Sequence, residues 1–240
     1  MNWIAKARSS SMANTTTAST AAASGARSKP GPAGAASPAP GVRVSNGLKE
    51  FLWLISDVKN CRILDLGQVS QATLNFFIEK GYRISTEDVL RSWKEFMTGE
   101  EERLRVMPVG EGGERVTQAM LAEKFLETAC QYPEENFIGV LTWDLFDYFD
   151  TELLPRVIDR IYKLVRPGGA VLSMFHNRTP ERFHRYRIVD NQSIELLNAP
   201  TLAVHARTFQ NREILDMFGQ FRSSKTFVGR DQLREGLFLK

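Results

Sequence analysis

Cys61-Arg-Ile-Leu-Asp-Leu-Gly67 is a short, β-rich apolar run that closes on an acid, a leucine and a glycine. Seven residues are too few for a helix with a packing face, and the glycine marks a turn. The next ten, Gln71-Ala-Thr-Leu-Asn-Phe-Phe-Ile-Glu-Lys80, read as a helix, with Gly81 placed as its C-cap. Tyr82 to Thr86 then alternate as a second strand. Strand, turn, helix and strand in this order make the first unit of a parallel sheet, and that decides the fold class.

Outward from this unit the pattern repeats. Leu48 to Ile55 have helical apolar spacing, and Ser92 to Glu102 read as helix. Glu100-Glu-Glu102 and Gly110 to Gly113 suggest a solvated loop region, while Thr117 to Cys130 stays open between a helix and a strand at 124–128. Phe137 to Trp143 reads as a strand and Thr151 to Val165 as an amphipathic helix. Pro167-Gly168-Gly169 turns the chain into a buried strand, Ala170 to Phe175. Further strands are expected near 185–189, 193–197 and 202–206, then a helix at 211–218 and a hairpin of 221–229 with 235–239. The expectation is an α/β domain over 46–240: a Rossmann-like, doubly wound, mostly parallel sheet with a C-terminal antiparallel hairpin.

Residues 1–45 read differently. From Ser9 to Pro40 the chain is mostly Ala, Ser, Thr, Gly and Pro, which cannot bury enough surface to offset the entropy of ordering. A disordered tail is expected there. Its basic, Ser-rich, acid-free composition also fits an organelle transit peptide, although no amphipathic Arg-bearing helix is evident past Arg8. Of the 31 Lys and Arg, six lie in residues 1–49, which contain no Asp or Glu, so the rest holds 25 bases against 28 acids. That balance argues against a nucleic-acid footprint. No apolar run approaches the roughly 18 residues that suggest a membrane span. Cys61 and Cys130 form no CxxC pair, so neither a disulfide framework nor a zinc-binding cysteine set is indicated. A cytoplasmic location is the default.

Ligands of open α/β sheets sit outside the carboxyl ends of the strands. Here that edge carries Asp65 and Gly67, then Glu87 and Asp88, with Asp88 lying 23 residues after Asp65. An acid at the end of the second strand can accept from both ribose hydroxyls of an adenosine-bearing cofactor. Glu87 is its rival if the register slips by one.

Ile63-Leu-Asp-Leu-Gly67 resembles the first motif of the class I S-adenosylmethionine-dependent methyltransferases, and Gly81-Tyr-Arg-Ile-Ser-Thr-Glu-Asp88 resembles their second strand. Tyr132 to Asp144 is similar to the approach to their fourth strand, and Leu164-Val-Arg-Pro-Gly-Gly169 to their turn into the fifth. The resemblance covers roughly residues 48–240. It implies S-adenosylmethionine as cofactor, held by Asp65, Gly67, Gln68, Asp88, Trp143 and Asp144. It also implies a small-molecule or protein methyl acceptor. The family pattern continues with glycines two and four residues after Gly67, where this chain has Val69 and Gln71. A β-branched Val at positive φ is an outlier, so the loop is expected to take another path.

Asp147, Tyr148 and His176 are the candidate catalytic groups, as an acid, a phenol and an imidazole near the same edge. The plainer reading makes them a solvated face and a structural histidine. Arg178, Arg182, Arg185 and Arg187 cluster with Phe183 and Tyr186, either to meet an acidic partner or as one solvated strand face. His184 and His205 lack metal-site spacing, and no metal is expected. Two functions remain open: a methyltransferase, and a catalytically inactive methyltransferase-like binding or scaffold protein with a protein partner. A dinucleotide oxidoreductase would need a G-x-G-x-x-G run, which is missing.

Overall fold

A computed structural model describes residues 41–240, apart from 57, 59, 60, 107–115, 230 and 231. Residues 1–40 of the tail expected over 1–45, the transit-peptide reading and the glycine-rich loop at 110–113 lie outside the described residues. The chain runs β1 (Val42–Val44), α1 (Asn46–Ile55), β2 (Arg62–Asp65), α2 (Gln71–Glu79), β3 (Arg83–Thr86), α3 (Val89–Val106), α4 (Gln118–Leu126) and β4 (Phe137–Trp143). A 3₁₀ turn (Leu145–Tyr148) follows, then α5 (Leu153–Leu164), β5 (Val165–His176), β6 (His184–Asp190) and β7 (Ser193–Asn198). The chain closes with α6 (Asn211–Met217), β8 (Ser223–Val228) and β9 (Leu233–Leu239).

Six strands form the main sheet in the order β3-β2-β4-β5-β9-β8. The first four are mutually parallel, and β9 runs antiparallel to both β5 and β8. Alternate side chains feed two cores. Leu64, Val140 and Val171 pack on one face with Trp93 of α3, Phe125 of α4, Ile161 of α5 and Phe218, the residue after α6. Ile63, Leu141 and Leu172 pack on the other face with Leu48 and Phe51 of α1 and Phe77 of α2. This is the expected Rossmann-like sheet with its antiparallel closing hairpin. Gly81 adopts φ +82°, as its C-cap role requires.

Several expectations change. Residues 118–126 are helical, with Thr117 Oγ1 accepting from Met120 N at 3.2 Å as the N-cap. Pro167 to Gly169 belong to β5, with Gly168 at φ +78°, and do not form a separate preceding turn. Residues 202–206 form no strand. The amide of Ala206 donates to the carbonyl of Asp147 at 2.8 Å, so a nearby turn takes a bond that a ladder would need. β6 and β7 leave the main sheet and pair with β1 in a separate antiparallel sheet, β1-β7-β6. Among the described residues, regular structure is present from Val42, inside the last residues of the expected tail. Arg43 explains why: its guanidinium pairs at 2.8 Å with the buried Glu235 of β9, which also accepts from Gly47 N. Among the described residues no helix is long and apolar enough to cross a membrane.

Candidate active site

The parallel strands β2, β3 and β4 all deliver their carboxyl ends to one edge. There a pocket is lined by Gly67, Gln68, Asp88, Trp143, Asp144 and Tyr186, among others. Five of the six residues expected around a cofactor thus meet. The sixth, Asp65, lies beneath them and is buried. Its Oδ1 accepts from Trp143 Nε1 at 2.7 Å and from Gly67 N at 3.1 Å. Burial pushes the Asp65 carboxyl up to about 6, against the lowering effect of these two hydrogen bonds. Asp88 caps α3 by accepting from Arg91 N at 3.1 Å and also pairs with Arg91 Nε at 3.3 Å. Glu87 turns away, and its carboxylate accepts from Cys130 N at 2.8 Å. Between the two acids, Asp88 is the one that faces the pocket.

The loop after β2 does take a path without positive φ at Val69 or Gln71. Val69 is exposed, and Ser70 accepts from Thr73 N to cap α2. Gly67 is needed for space: a Cβ there would stand 2.4 Å from Trp143 Cδ1. The indole of Trp143 lies across the glycine, stacked on Tyr186 of β6 with centroids 5.3 Å apart and planes 5° from parallel. Trp143 itself sits at φ +50°, a conformation that costs about 1–3 kcal/mol and persists only where surroundings over-determine it. The free volume left is about 30 Å³, room for a water or two.

Behind this pocket is a buried polar cluster that includes the three catalytic candidates. Asp144 Oδ2 accepts from Tyr186 Oη at 3.0 Å and Tyr148 Oη at 3.4 Å. Burial pushes its carboxyl up to about 6 and the Tyr148 phenol far above its ordinary value. Asp147, fully buried, accepts from His176 N at 2.8 Å and stands 2.9 Å from His176 Nδ1. His205 completes the group, with Nε2 3.7 Å from Asp147 Oδ2. Neither its position in the chain nor its spacing to the other histidines signalled this. Beside His176 opens a cavity of about 310 Å³, lined also by Arg178, Arg182 and His184. The arginine cluster divides: Arg185 lines the first pocket, and Arg187 pairs with Glu195.

No family model matches the chain, and no curated protein matches it. Solved structures to which it is similar, at low identity, include methyltransferases. One is the Burkholderia thailandensis 1,6-didemethyltoxoflavin-N1-methyltransferase, with 15% identity over 81% of this chain and 77% of that one, at a TM-score of 0.41. A Methanosarcina mazei methyltransferase gives 15% identity over 76% of this chain and 95% of that one, at 0.40. A putative type 11 methyltransferase from Sulfolobus solfataricus gives 11% over 82% and 94%, at 0.42.

Proposed function

We propose that the chain is an S-adenosylmethionine-dependent methyltransferase whose cofactor enters by displacing the indole of Trp143. One observation carries this reading: Gly67, Gln68, Asp88 and Asp144 converge on a single pocket at the carboxyl ends of three parallel strands. Asp88 is already oriented by the amide of Arg91 and presents a carboxylate suited to ribose hydroxyls. The loop at 67–68 suits the methionine end, and Asp144 with Tyr186 suits the region beyond. Bound there, S-adenosylmethionine supplies an electrophilic methyl group. The protein's part is to orient two partners and exclude water, and much of the rate of a displacement can come from such positioning.

The donor set fits the cofactor; the room does not while Trp143 lies over Gly67. A pocket available only when the indole swings out lowers apparent affinity by the fraction of time it is open. Calorimetric titration with S-adenosylmethionine and S-adenosylhomocysteine tests the reading. Saturable binding to the wild type is expected, and tighter binding to Trp143→Ala. Absence of binding to both proteins would overturn it and favour an inactive binding domain whose pocket is permanently filled by its own tryptophan. The methyl acceptor, small molecule or protein, then becomes the object of a separate screen.

A further inference from the structure

The geometry points to a divalent transition-metal site of the Zn²⁺ class formed by Asp147, His176 and His205. Each of the three offers one ligand atom, and these atoms all lie within 4.8 Å of one another. The carboxylate Oδ2 of Asp147 is 2.9 Å from His176 Nδ1 and 3.7 Å from His205 Nε2. Two ligands each about 2.0–2.2 Å from one zinc ion stand roughly 3–3.6 Å apart, so modest side-chain shifts suffice. The set of two imidazoles and one carboxylate is borderline in softness, which suits Zn²⁺, Co²⁺ or Fe²⁺ over Mg²⁺ or Ca²⁺. Three protein ligands also leave a coordination position for water or substrate.

Two further observations point to an ion. Asp147 Oδ1 and His205 Nε2 are buried and have no hydrogen-bond partner within the described protein. Buried polar atoms are nearly always satisfied, and a site for an ion is one reason for an exception. The local charge also lacks a permanently charged counterpart among the described residues. Asp144 and Asp147 are both buried, yet among the described residues neither pairs with an arginine or a lysine. A divalent cation supplies the missing positive charge.

The backbone holds the ligands in place. Asp147 sits in the 3₁₀ turn after β4 and accepts from the amide of His176 at the end of β5. The segment bearing His205 is tied to the same turn, because Ala206 N donates to Asp147 O at 2.8 Å. The bond to the His176 amide can remain when the ion takes the carboxylate, and such outer bonds orient metal-ligating carboxylates. His176 also lines the neighbouring cavity, which gives the centre a route to solvent. The site does not depend on the methyltransferase reading, since its occupancy is measured without any cofactor.

The full chain, stripped of metal by chelation, is titrated with Zn²⁺ by calorimetry and with Co²⁺ by visible absorption. Expected are one ion per chain, Co²⁺ d–d bands of a low-coordinate site, and no thiolate charge-transfer band. His205→Ala is expected to weaken binding by more than the roughly 100-fold that loss of an outer-shell partner can cost. His184→Ala is expected to retain it. If His205→Ala does not fold, imidazole ¹⁵N shifts of the wild type on adding Zn²⁺ decide, with His176 and His205 expected to move together. Failure of the wild type to bind either ion overturns the proposal. Unchanged binding in a folded His205→Ala does so too, as does a thiolate signature that places the ion at Cys61 or Cys130.

Discussion

Trp143 donates its indole N–H to Asp65 across 78 residues of chain, at 2.7 Å, and in doing so roofs the turn that Gly67 makes. The acid that ends β2 and the aromatic that ends β4 therefore hold each other. Gly67→Ala is expected to lower stability by about 1–3 kcal/mol, the usual cost of overpacking. In a Trp143→Ala background the same change is expected to cost less than about 1 kcal/mol, since the obstructing atom is gone. Denaturant unfolding of the four proteins measures the coupling. Equal costs in both backgrounds would falsify the idea that the indole keeps position 67 small.

Asp88 has two duties that can be separated. Asp88→Ala removes the cap of α3, for about 1 kcal/mol of stability, and removes the charged acceptor facing the pocket. Binding of S-adenosylhomocysteine is expected to weaken by roughly 10- to 100-fold. Arg91→Ala leaves the Asp88 carboxylate in place and is expected to preserve binding. Calorimetry on the pair checks this, and equal loss in both variants would mean that Asp88 acts only through the helix.

Asp65 makes stability depend on pH. Its folded value, about 6, lies above the ordinary 3.8, so between these limits the folded state holds a proton that the unfolded state has released. The Asp65 contribution to stability is therefore fully present below about pH 4, falls as pH rises towards 6, and is level beyond. The shift of about two units corresponds to roughly 3 kcal/mol. Asp65→Asn keeps an acceptor for Trp143 and Gly67 without a charge to bury. It is expected to be more stable than the wild type near pH 7, with the gain shrinking near pH 4. A constant gap across that range, read by chemical denaturation, would assign the burial cost elsewhere.

A chain that begins at residue 46 lacks β1 and the Arg43 partner of Glu235. Leaving a buried carboxylate without its guanidinium costs about 3–5 kcal/mol, so its thermal midpoint should fall well below that of a chain that begins at residue 41. Matching midpoints would place Arg43 outside the stabilising core.

Much of the sheet was readable because its strands are short apolar runs bounded by turn residues. Ile63-Leu64 and Val171-Leu172 can be assigned to opposite faces by parity alone, and Gly81 marks the end of α2 by its conformational freedom. The residues of the sheet edge were readable for the same reason, since strand ends follow from strand positions. Thr117 to Cys130 was ambiguous because propensity favours helix while Lys124 to Thr128 also fits a strand; with the Thr117 hydroxyl capping the first turn, Gln118–Leu126 is helix.

The sequence by itself determined the order β2, α2, β3 and the order β4, α5, β5, the acids at the strand ends and the absence of glycine at 69 and 71. These are properties of neighbouring residues and their periodicity. Only the tertiary structure decided that Trp143 covers Gly67, that Arg43 extends the domain into the apparent tail, and that Asp147, His176 and His205 converge. Each of these joins groups distant in the chain through a side-chain rotamer or a non-repetitive loop. Periodicity carries no information about such contacts, because they are set by packing after the sheet has formed.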